Sequence, residues 1–109
     1  MSPMLKFKDL LVNKNHIQYV DYTYETNTIT IVCIKEIKYV IEYENKEDLL
    51  VDLETLAEYF CEVEATLFLN LDNVVGIEPI KLNRKDAIRV SFTDKSIICV
   101  GLGGVKTDY

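Results

Sequence analysis

From residue 47 to residue 80 the chain contains no lysine, arginine or histidine, yet Glu47, Asp48, Asp52, Glu54, Glu58, Glu62, Glu64, Asp72 and Glu78 all fall in that stretch. A surface that meets phosphate gains affinity by releasing counterions through Lys and Arg, so this stretch lacks the chemistry of a nucleic-acid face. Cations are scarce elsewhere too. Twelve Lys and Arg stand against 18 Asp and Glu, giving a formal net charge of −6 over 109 residues. That balance argues against non-specific attraction to nucleic acid or to an anionic membrane and shifts expectation toward protein or cationic partners.

Catalytic and metal-binding side chains are equally thin. His16 is the only histidine, and Cys33, Cys61 and Cys99 are odd in number, widely spaced and without a CxxC pair. Neither a disulfide framework nor a zinc site follows from such spacing, and the apolar neighbours of each cysteine predict buried structural thiols. Glu62 and Glu64 share one face of an extended segment, but no other ligand-type residues cluster with them, so a solvated edge is the simpler reading. The expectation is no catalytic residue, no metal and no cofactor. No signal-peptide core opens the chain and no apolar run approaches the roughly 20 residues that span a bilayer, which makes cytoplasm the expected home.

What is present is a core. With 49% hydrophobic residues, the chain has enough apolar content for one domain over 1–109, with 1–8 and 101–109 expected as flexible ends. His16 to Tyr24 and Thr28 to Ile34 are β-branched and aromatic runs around the turn Glu25-Thr26-Asn27, and Ile37, Tyr39, Ile41 and Tyr43 alternate with Lys38, Val40, Glu42 and Glu44 in the period of a half-buried strand. These three strands read as a meander. Asn45 then occupies a helix N-cap position, and Leu49, Leu50, Leu53, Leu56, Ala57 and Phe60 form one apolar stripe. The outer face with Asp52, Glu54 and Glu58 reads as solvated. Four more strands follow at Thr66 to Leu71, Val74 to Ile80, Ala87 to Phe92 and Ser96 to Val100, separated by turn-forming residues. The fold class is therefore mostly β, α+β with one main helix, in the order β-β-β-α-β-β-β-β.

An internal echo runs through this pattern. Val12-Asn13-Lys14-Asn15-His16-Ile17 and Leu69-Asn70-Leu71-Asp72-Asn73-Val74 share one form at an offset of 70 − 13 = 57 residues. The Asn side chains at Asn13 and Asn70 can bond nearby backbone and hold a one-turn reversal that feeds the next strand. The spacing predicts one local device used twice.

Of the seven tyrosines, Tyr39 and Tyr43 fall with Phe60 on predicted core faces, and Tyr19, Tyr22 and Tyr24 are the better candidates for a contact surface. A small basic set, Lys81, Arg84, Lys85 and Arg89, gathers in the hairpin before the strand Ala87 to Phe92, with Asp86 and Asp94 among it.

The run Phe60-Cys61-Glu62-Val63-Glu64-Ala65-Thr66-Leu67-Phe68-Leu69-Asn70-Leu71-Asp72-Asn73-Val74 resembles the LytTR family of bacterial transcription-factor DNA-binding domains, whose typical run reads F-x-R-I-H-R-S-Y-I-V-N-L-x-x-I. Ile17 to Asp21, the helix Leu49 to Phe60 and the hairpin Ile88 to Val100 look like further parts of that domain, so the resemblance covers nearly the whole chain. It implies a LytTR-like elongated β-sheet domain. Where the family has Arg, His, Arg and Ser, however, this chain has Glu62, Glu64, Ala65 and Thr66. The resemblance thus implies a kept scaffold with a lost phosphate-reading surface. The expected function is a non-enzymatic regulatory module acting through protein contact, with Glu62, Glu64, Tyr22 and Tyr24 as candidate partner-binding residues. The alternative is a DNA-binding regulator with altered contacts at Thr66, Asn70, Asn73, Arg84, Lys85 and Arg89. Homodimerisation through an exposed β edge is a third expectation.

Overall fold

The computed structural model describes residues 4–63, 66–101 and 106–108. Among them the chain is mostly β with a single α-helix, as its apolar periodicities predict. A hairpin of β1 (Met4–Phe7) and β2 (Leu10–Asn13) leads through a 3-10 turn, Lys14–His16, into the meander β3 (Ile17–Thr23), β4 (Thr28–Cys33) and β5 (Lys38–Glu42). The helix α1 (Lys46–Tyr59) follows, and then the short strands β6 (Cys61–Val63) and β7 (Leu67–Leu69). A second 3-10 turn, Leu71–Asn73, leads into β8 (Val74–Leu82), β9 (Lys85–Phe92), β10 (Ile97–Gly101) and β11 (Lys106–Asp108). The sheets are β1-β2, β5-β4-β3-β7-β6 and β11-β10-β9-β8, with antiparallel pairing in each.

The N-terminal segment corrects the sequence reading. The sequence predicts a flexible end over residues 1–8, but Met4–Phe7 pairs with Leu10–Asn13, and Leu5 and Phe7 are buried in the core. At the other end, Lys106–Asp108 is registered against Ile98–Val100. Both elements are only three or four residues long, and charged Lys6, Lys8 and Asp9 interrupt the apolar pattern of the first.

Helix α1 begins where the Asn45 side chain accepts the Asp48 N–H at 2.9 Å, with Glu47 and Asp48 in the first turn where the positive end of the helix dipole favours carboxylates. It ends at Phe60, which turns to extended backbone while its N–H still reaches the Leu56 carbonyl at 2.9 Å. Leu49, Leu53 and Leu56 face Val20, Tyr22, Ile29, Ile31 and Ile41 of the five-stranded sheet. Burying a leucine completely, as at Leu49 and Leu56, contributes about 2–3 kcal/mol.

The opposite face of that sheet is covered as well. Tyr19 and Val32 join Val90, Phe92, Ile98 and Val100 in a second core, with the Tyr19 and Phe92 rings stacked at 5.9 Å. The five-stranded sheet is therefore a middle layer, helix on one side and four-stranded sheet on the other. This explains why Ile17 to Val20 are buried without alternation.

The internal echo extends to the whole topology. The strand β3 shows a register shift between Ile17 and Tyr19 against β4, and β8 shows one between Val74 and Gly76 against β9. The positions agree at 74 − 17 = 57 on the first strand, and at 92 − 33 = 59 on the second for the partners Phe92 and Cys33. Strand β10 stands to β9 as β5 stands to β4, also at an offset of 59: Thr28 faces Glu42, and Ala87 faces Gly101. The chain is thus two hairpin-turn-meander units, the second carrying two extra residues in its first meander turn. There Asn83 and Arg84 adopt φ of 49° and 67°, the left-handed pair of a tight hairpin turn between Leu82 and Lys85.

Candidate interaction surfaces

The two 3-10 turns form the best-connected polar junction. The Asn13 side chain accepts the Asn15 N–H at 2.9 Å, and the Asn70 side chain accepts the Asp72 N–H at 3.2 Å. Asn70, 3% exposed, also donates to the carbonyls of Lys14 and Ile17, both at 2.9 Å. Asn73 donates to the carbonyls of Asn15 at 2.8 Å and Ile17 at 2.7 Å. These amides stitch one unit to the other. Asn70 and Asn73, which the DNA-contact alternative placed at an interface, have their donors turned inward to backbone, which is a structural assignment in place of a base-reading one.

The rest of that alternative set does not form one surface. Thr66 is half-buried and its carbonyl accepts the Tyr22 N–H at 3.1 Å. Arg84 and Lys85 are exposed at the tip of the β8–β9 hairpin, which the nine residues of β8 carry about 30 Å from Asn73 by strand rise. Within that hairpin Arg89 pairs with Glu78 directly across the ladder, and Lys81 pairs with Asp86.

Three of the four candidate partner-binding residues do converge. Tyr22 and Tyr24 meet edge to face at 5.4 Å, and Lys46 Nζ sits 4.6 Å above the Tyr24 ring. Tyr22 is 8% exposed and packs on Phe68, so it belongs to the core, and the accessible aromatic is Tyr24 at 46%. Burial, then Tyr24 and the Glu62 carboxylate, push the Tyr22 hydroxyl up to about 12. Glu62 is exposed on β6. Glu64 lies outside the described residues.

Cysteine placement differs from expectation at one position: Cys33 and Cys99 are buried, but Cys61 is exposed. Its place on the outermost strand of the five-stranded sheet accounts for this. Among the described residues no cluster of His, Cys, Asp and Glu is arranged to hold a metal ion, and no helix is long and apolar enough to cross a membrane.

A cleft of about 630 Å³ opens between the two larger sheets, where Gln18, Lys38, Asp94 and Ser96 meet. The Asp94 carboxylate is pushed up by burial but pulled further down by the Ser96 hydroxyl and N–H and by the Lys35 N–H, so its pKa lies below the usual range. Gln18 donates to Ser96 Oγ at 3.0 Å and closes this network on itself.

Sequence periodicity marks the strand β5 but puts Ile37 and Tyr39 on its core face, and the structure leaves both exposed. Ile37, Tyr39 and Val40 are 47%, 38% and 63% exposed, and Leu11 of β2, 60% exposed, lines the same groove as Ile37 and Tyr39. Bonds from Cys33 N–H to the Ile37 carbonyl and from Tyr43 N–H to the Asn27 carbonyl fix the parity of the ladder. The odd-numbered residues of β5 direct their backbone groups to β4. Lys38, Val40 and Glu42 therefore direct theirs outward. The Glu42 carbonyl accepts the Lys8 ammonium at 2.7 Å, as that parity requires.

Comparison with models of known protein families, with curated proteins and with solved structures returned no match.

Proposed function

We propose that this chain is a non-enzymatic regulatory binding module that acts through protein–protein contact. The observation that carries this reading is the state of its cations. Of the four basic residues at the hairpin, Lys81 and Arg89 face carboxylates of the same hairpin. The face where a LytTR-like domain would carry basic residues instead presents exposed Glu62. Phosphate neutralisation therefore has few charges to draw on, while exposed apolar and aromatic groups at Tyr24, Tyr39 and Val40 suit a protein surface. The LytTR resemblance supplies the regulatory part of the proposal.

Titration with mixed-sequence duplex DNA at low salt tests it: the expected result is no saturable binding. Micromolar binding that weakens with salt would overturn it and favour the second reading, DNA contact through exposed Arg84 and Lys85 at the tight-turn tip. Under that reading Arg84→Ala with Lys85→Ala abolishes the binding and flattens its salt dependence.

A further inference from the structure

The two units differ in how they finish their sheets. In the second, the edge of β10 takes β11 as an added antiparallel strand, with Ile98, Cys99 and Val100 facing Asp108, Thr107 and Lys106. The equivalent positions in the first unit, 59 residues earlier, are Tyr39, Val40 and Ile41 of β5, and β5 ends its sheet. An unpaired edge with exposed apolar residues is a template for another strand, and edges are protected against pairing by charged side chains, a proline, a bulge or a covering loop; the charges on this edge, Lys38 and Glu42, are of opposite sign and oppose only strands that do not match them. Strand β5 has no proline, and its ladder with β4 runs without a register shift from Thr28 opposite Glu42 to Val32 opposite Lys38.

The sequence of this edge, Lys38-Tyr39-Val40-Ile41-Glu42, is complementary to itself when reversed. Placed antiparallel about Val40, Lys38 faces Glu42 of a second strand, Val40 faces Val40, and Glu42 faces Lys38. Alternation puts these three side chains on one face, so both charge pairs flank the valine contact. The same three residues direct their N–H and C=O groups outward, so the register that matches charge also matches hydrogen-bond parity. Shifting the centre to Tyr39 sets Lys38 against Val40 and leaves Glu42 facing Glu36.

We infer that the partner at this edge is a second copy of the chain, joined β5 to β5 about a two-fold axis through Val40, which makes a continuous ten-stranded sheet from two five-stranded ones. The inference rests on the protein-binding reading above and specifies its partner. The Lys8 ammonium, which holds the outward Glu42 carbonyl in the monomer, yields that acceptor to the Lys38 N–H of the second copy. One strand pair is a small contact, so the dimer is a weak and concentration-dependent one.

Sedimentation equilibrium over a concentration series, on the wild type, Lys38→Glu, Glu42→Lys and the double variant, tests the register. The wild type shifts toward twice the monomer mass as concentration rises. Each single reversal opposes like charges at both ends and weakens association about tenfold, and the double variant, which restores opposite charges, recovers it. Circular dichroism confirms that all four are folded. A wild type that stays monomeric at every concentration overturns the self-pairing. So does association that neither single reversal weakens, or that the double reversal does not recover. The DNA titration is independent of these outcomes, so a monomer that ignores DNA overturns the dimer while leaving the protein-binding reading intact.

Discussion

The side-chain amide of Asn70 lies 2.9 Å from the carbonyl oxygen of Ile17, and this bond joins the second unit's turn to the first residue of the first unit's leading strand. Its counterpart Asn13 has the local capping bond but is half-buried. The two asparagines therefore differ in what their loss exposes. Asn70→Ala removes the donor to the Lys14 carbonyl, one of the two donors to the Ile17 carbonyl and the acceptor of the Asp72 N–H, and should cost about 3 kcal/mol, whereas Asn13→Ala should cost about 1 kcal/mol. Urea denaturation of the two variants measures the ordering.

Much of this was written in the sequence, and the remainder depends on which element lies outside which. The Asn45 cap and the leucine spacing marked α1 to within a residue of each end, because helix signals are local. The Asn13/Asn70 echo was visible for the same reason. Its extension was hidden by the two residues added at the β8–β9 turn, which break the 57-residue offset after Leu82. Tyr39 alternates with polar neighbours as a core residue does, yet it is 38% exposed because no strand of the same sheet lies beyond β5. Tyr22 is a contact residue by its type, but α1 packed over β3, with Phe68 of the neighbouring strand β7, buries it. The acidic stretch was legible in full as charge. That part of its face belongs beside Tyr22 and Tyr24 required the pairing of β6 with β7 and of β7 with β3.

Alkaline stability should fall early. Burial raises the pKa of Tyr22 to about 12, and burial with the Asp52 hydrogen bond raises that of Tyr43 further. Both unfolded hydroxyls titrate near pH 10, so between about pH 10 and pH 12 the unfolded chain has released protons that the folded chain still holds. Stability is therefore fully present below pH 10 and declines as pH rises through this window. Tyr22→Phe should make the decline shallower, as followed by urea denaturation at a series of pH values. An unchanged slope would contradict the assigned burial.

Tyr43 and Asp52 offer a second check at neutral pH. The Tyr43 hydroxyl donates to the Asp52 carboxylate across the seam between β5 and the outer part of α1. Tyr43→Phe should cost about 1–2 kcal/mol, since it removes a hydrogen bond to a charged acceptor. Asp52→Asn, which keeps an acceptor, should cost less by the same denaturation measurement.

Thiol accessibility should separate the three cysteines. Cys61 is exposed on β6, while Cys33 and Cys99 are buried with pKa values raised by that burial. A thiol-specific chromogenic reagent should titrate Cys61 rapidly in the native protein and the other two only on unfolding. Cys61→Ser should abolish the fast phase.

The most direct measurement of the account is cross-linking at Val40. In an antiparallel pair whose opposed residues exchange both hydrogen bonds, the Cα atoms lie about 5.5 Å apart, within the range a disulfide spans. In a Cys61→Ser background, Val40→Cys should give a disulfide-linked dimer on mild oxidation. Val75→Cys, on the exposed β8 edge strand and 71% exposed against 63% for Val40, should remain largely monomeric. Equal cross-linking at the two sites, or cross-linking at Val75 alone, would contradict the assignment of the β5 edge as the contact between copies.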